Sequence, residues 1–72
     1  MATCTVKLNS IEKIKSFVHA IRNSEGTYEL VSGRYTVDAK SIMGIFSLDL
    51  TKPIEFRSYT GFIPSEVTPF LA

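Results

Sequence analysis

The chain opens on an alternation. Cys4, Val6 and Leu8 are apolar, and Thr3, Thr5 and Lys7 between them are polar; a period of two predicts a half-buried strand. The period then changes. Ile14, Phe17, Val18 and Ile21 fall within about 100° of arc at helical spacing, with Ile11 at the margin, which predicts a helix from Ser10 to Arg22 with one apolar stripe. Asn9 is the expected cap, with Glu12 as its reciprocal partner. Asn23-Ser24-Glu25-Gly26 stops that helix. Two short strands follow, Thr27 to Val31 and Arg34 to Asp38, joined at Ser32-Gly33, a tight-hairpin signal. Ser41 opens a second helix that reaches Leu48. Thr51-Lys52-Pro53 is a break, and Ile54, Phe56 and Ser58 then alternate with Glu55, Arg57 and Tyr59 as a fourth strand. In the tail, Pro64 suits the first position of a short helix and Pro69 is expected to stop it. Phe62, Val67, Phe70 and Leu71 are expected to pack back on the sheet. The order β-α-β-β-α-β, with a helical stub, predicts an α+β fold: a four-stranded antiparallel sheet with helices on one face.

Composition narrows the class. With 72 residues there is room for one domain, spanning 1–72. A hydrophobic fraction of 44% is that of a folded chain. The formal net charge is +1 and the charges are interspersed, so no nucleic-acid partner is expected. Cys4 is the single cysteine, which excludes a disulfide framework or a cysteine-based metal site and fits a reducing, cytoplasmic setting. No apolar run approaches the roughly 20 residues that a membrane helix needs, and no signal peptide is expected at the N-terminus. Gly26, Gly33, Gly44 and Gly61 are scattered and form no phosphate-cradling loop. The carboxylates are equally dispersed, so no cofactor or metal is expected. Cys4 reads as a small core residue, and Tyr28, Tyr35 and Tyr59 read as strand residues.

The segment Ala39-Lys40-Ser41-Ile42-Met43-Gly44-Ile45, continuing through Phe46, Ser47 and Leu48, carries the most specific information. Ile42, Met43 and Phe46 form one apolar group on the predicted helix, and Ile45 with Leu48 form another. A short helix on a small domain buries only one stripe, so the second face is surplus, and surplus apolar surface marks a docking site. Met43 and Phe46 suit an adaptable contact surface. Ser41 stands at the helix mouth, where unpaired N–H groups favour a capping oxygen or a phosphate.

That segment, within the predicted element order, resembles HPr, the small phosphocarrier of the bacterial sugar phosphotransferase system. The similarity runs from Thr3 to Tyr59, includes Phe17-Val18 on the first helix, and fades over residues 60–72. It implies an HPr-like open-faced β-sandwich with a shortened C-terminal helix. In the family the first helix opens with a catalytic histidine followed by an arginine and a proline. At the family's spacing from Ser41, those places hold Ser10, Glu12 and Lys13. The site is therefore degenerate, and the chain is similar to the histidine-less catabolite-repression HPr paralogue. A phosphoserine at position 10 would be a slowly transferred monoester, with no arginine to steady it and Glu12 to repel it.

The resemblance implies a non-catalytic regulatory protein of the phosphotransferase system. Ser41 would be a phosphorylatable switch, and Lys40, Ile42, Met43 and Phe46 would be the partner-binding residues. An HPr-type kinase, a transcriptional repressor or phosphotransferase components are the implied partners. Alternatives stay open: a residual phosphocarrier using Ser10 or His19, a phosphate-independent interaction module in which Ser41 is only a cap, a helix whose second face is covered by the tail, or a homodimer that covers apolar surface. His19, the only histidine, lies opposite the apolar stripe of the first helix and is expected to be solvated.

Overall fold

The computed structural model describes residues 1–72. The elements are β1 (Ala2–Val6), α1 (Ile11–Ile21), β2 (Tyr28–Ser32), β3 (Tyr35–Asp38), α2 (Ile42–Phe46), β4 (Ile54–Ser58) and a final 3-10 helix (Ser65–Phe70). The four strands form one antiparallel sheet in the order β1-β4-β2-β3. This is the α+β architecture that the hydrophobic periods predict.

Alternation along the strands decides which face is covered. Val6, Leu30, Ile54 and Phe56 are fully buried and join Ile14, Phe17, Val18 and Ile21 of α1 in a single core cluster. Cys4 packs against that cluster half-buried, and desolvation raises its thiol pKa. The opposite face is polar. Arg57 pairs with Glu55 there. Tyr59 donates to Glu29 Oε1 at 2.6 Å, and that bond is the largest cause of its raised pKa. Phe17 lies edge-on to Phe56 at 6.0 Å and to Phe70 at 5.4 Å, joining helix, sheet and tail.

Local chemistry moves several boundaries. Ser10, not Asn9, caps α1: its Oγ accepts from Lys13 N at 3.1 Å. Glu12 is then one residue too early to complete a capping box. The hairpin turn is Gly33-Arg34, because Ser32 pairs with Tyr35. Gly33 supplies the positive φ of 59° that the first central position of a tight hairpin requires. The second helix is shorter than expected and ends at Phe46, with Leu48 buried beyond it.

The tail departs furthest from expectation. Its 3-10 helix runs through Pro69, with Val67 N donating to Pro64 O at one end and Leu71 N to Thr68 O at the other, neither bond asking a donor of the proline. Val67 is buried and Phe70 half-buried, but Phe62 and Leu71 are exposed. What Leu71 contributes is backbone: it bridges Val6, while Lys7 N donates to Phe70 O and Ala72 N to Thr5 O, so the tail covers part of the β1 edge.

Two outcomes follow from this packing. Phe17→Ala removes a side chain shared by three elements and should cost about 3–5 kcal/mol, a large share of the roughly 4–11 kcal/mol that a chain of this size holds. Urea denaturation should show a midpoint shifted strongly downward or no cooperative transition, while Ile11→Ala, at a site 60% exposed, leaves the midpoint nearly unchanged. In the turn before β4, Asp49 Oδ1 accepts from Thr51 Oγ1 at 2.6 Å and from Thr51 N at 3.1 Å. These bonds favour the carboxylate and hold its pKa below the ordinary value. The stability they supply is present above the unfolded-chain pKa and is lost as pH falls through the lowered folded value. A carboxyl-carbon NMR titration should find Asp49 titrating low in the parent and higher in Thr51→Val.

Candidate functional site

The site is set by a turn. Asp38 ends β3; its Oδ1 accepts from Lys40 N at 2.9 Å and its carbonyl from Ser41 N at 3.0 Å. This Asx turn delivers Ser41 in extended backbone at the mouth of α2. Ser41 Oγ accepts from Gly44 N at 3.1 Å, and Ser41 O accepts from Ile45 N at 3.0 Å. At the other end, Ser47 Oγ donates to Gly44 O at 2.6 Å. Gly44 also lets α2 approach β3 closely, since a Cβ there would lie 3.1 Å from Val37 Cβ.

The two apolar groups of α2 part company. Ile45 and Leu48 enter the core. Met43 is 77% exposed and Phe46 43% exposed. Ile42 is half-buried and packs against the core cluster, so it forms the base of this surface rather than its crest. The tail packs on α1 and leaves Met43 and Phe46 uncovered.

Lys40 belongs to the scaffold. Its Nζ donates to Ser24 O at 2.6 Å and to Gly26 O at 3.4 Å, and sits 5.3 Å from the centre of the Tyr28 ring. The ammonium ties the loop after α1 to the approach of α2. Sequence spacing placed Lys40 beside Ser41 but carried no sign of the carbonyls sixteen and fourteen residues earlier in the chain.

Ser10, Glu12 and Lys13 are exposed around the start of α1, and Ser10 serves as the cap of that helix. His19 is exposed, and it is not isolated. With Lys15, Ser16, Val18, Arg22 and Ile42 it lines an open groove of about 530 Å³ between the two helices. Lys15, His19 and Arg22 recur at helical spacing on one side of α1, and none of their side chains is ion-paired within the chain. That row was visible in the sequence; considering His19 alone missed it, because only the fold sets Ile42 beside it. No group of three His, Cys, Asp or Glu side chains is arranged to hold a metal ion. No helix is long and apolar enough to cross a membrane.

Replacing Ser41 by Ala should cost α2 its cap, about 1 kcal/mol, while Ser41→Asp should restore most of it. Thermal unfolding of the two variants checks this, with faster amide exchange at Gly44 expected only in Ser41→Ala.

No family model, curated protein or solved structure matches this chain.

Proposed function

We propose that this is an HPr-like regulatory protein of the bacterial sugar phosphotransferase system, in which Ser41 is a phosphorylatable switch beside a partner-docking helix. One observation carries the proposal: a serine at the mouth of α2 stands next to Met43 and Phe46, two large apolar side chains that the core does not use. The groove between the helices widens that surface, since Lys15, His19 and Arg22 offer unpaired donors to the carboxylates of a partner.

Ser41 Oγ attacks the γ-phosphorus of ATP, its proton leaves to the kinase's base, and ADP departs. The new phosphate oxygens take over as acceptors for Gly44 N, so the cap survives the modification. What changes is the surface, where a dianion now borders an apolar patch and either completes or blocks docking.

Carrier chemistry has no support from the residues at the start of α1. Ser10 is a cap and Glu12 is an anion beside it. The protein is therefore proposed to be non-catalytic and to act in the cytoplasm. A second reading, a phosphate-independent interaction module, draws on the half-buried position of Ser41 and its existing bond to Gly44.

One experiment divides these readings. An HPr-type kinase with ATP should add one phosphate to the parent and none to Ser41→Ala. Phosphoenolpyruvate with the first enzyme of the system should leave no acid-labile phosphate. An unmodified chain beside a modified HPr control would refute the switch and leave the phosphate-independent module.

A further inference from the structure

A second groove, of about 510 Å³, opens on the domain between the β2–β3 hairpin and the loop from α2 to β4. It shares no residue with the groove beside Ile42. Arg34 from the hairpin turn and Lys52 from the loop line it, with Tyr35, Ser32, Ser47 and Asp49. We propose that this groove binds a small organic phosphate monoester, with the phosphate on Arg34 and Lys52 and the organic part against Tyr35.

Charge is the first support. Neither Arg34 nor Lys52 has an ion-pair partner; the one ion pair of the chain joins Arg57 to Glu55. The single carboxylate in the groove, Asp49, is already engaged by both the hydroxyl and the amide of Thr51. Asp49 keeps its charge and is stabilised in part by Lys52, so two cations and one carboxylate leave the groove a net charge of +1, which favours an anionic ligand. A guanidinium fork and an ammonium lining one groove suit the terminal oxygens of a phosphate monoester.

The remaining lining tells what the phosphate is attached to. Tyr35 follows the turn on β3, 67% exposed, and stacks on no other ring of the chain. A free aromatic face takes a sugar's C–H surface or a nucleobase. Ser32 and Ser47 supply hydroxyls, and only two of the eight lining residues are hydrophobic, so a polar ligand fits better than a greasy one. The parts are also held in place. Arg34 lies in the two-residue turn set by Gly33 and Tyr35 directly follows it, and Ser47 is the C-cap of α2.

Amide NMR titrations at low ionic strength, with glucose 6-phosphate, adenosine monophosphate, inorganic phosphate and glucose as probes, test the proposal. The expected result is saturable shifts from at least one of the two monoesters, confined to residues 32–35 and 47–52, with weaker binding of inorganic phosphate and none of glucose. The tighter monoester identifies a sugar or a base as the organic part. Arg34→Gln/Lys52→Gln should weaken that binding by about tenfold or more, and Tyr35→Ala should reduce the advantage over inorganic phosphate. Both cations are exposed, so unchanged shifts elsewhere show that the variant is folded. No local shift with either monoester, equal binding of inorganic phosphate, or undiminished binding by the folded double variant would each overturn the proposal.

Discussion

Phe17 is the contact on which the rest of the structure depends. Its ring meets Phe56 in the sheet and Phe70 in the tail, both edge-on, so one side chain fixes where α1 lies and where the chain ends. A four-stranded sheet has limited area, and α1 with its aromatic neighbours occupies the centre. The second helix is left with the margin, over β3, the edge strand. There a five-residue helix finds room to bury Ile45 and nothing else of its own length. The exposure of Met43 and Phe46 is a consequence of that geometry: the core is already full.

The same geometry explains why the serine and the apolar patch come together. A strand that ends at a sheet edge must turn back over the sheet, and Asp38 makes that turn with its own side chain. The residue leaving the turn is extended and faces free N–H groups, which is where a hydroxyl is most useful. Lys40 then pins the turn to the loop after α1 through Ser24 O and Gly26 O. Ser41 is thus presented by a rigid corner. A rigid corner beside exposed apolar side chains is a surface that one charge can switch, because little of the surrounding structure has to move.

Much of this was legible in the sequence, for physical reasons. Periods of two and 3.6 reflect which side chains meet the core, so Val6 and Phe56 on the strands and Ile14, Phe17 and Ile21 on the helix are legible in the sequence. The helical period also divided Ile42, Met43 and Phe46 from Ile45 and Leu48, but which group faces the core was an implication of the resemblance, and Ile42 is half-buried rather than exposed. Short-range bonding was less legible: Asn9 and Ser10 are both good caps, and only backbone geometry decides between them. Long-range contacts were not legible at all. Nothing local tells that the ammonium of Lys40 ends on Ser24, that Leu71 bridges Val6 through its backbone, or that Ile42 stands beside His19. The proline in the tail misled because the rule applied to it belongs to α-helices, and a single short 3-10 segment can pass it.

The functional account rests on Ser41 serving as more than a cap. Mass spectrometry of the protein from its own cells, grown with and without a rapidly used sugar, tests that most directly. The account predicts one added phosphate on Ser41 that depends on the sugar. An unmodified Ser41 in both conditions would contradict it and leave α2 as a docking helix whose serine only closes its first turn.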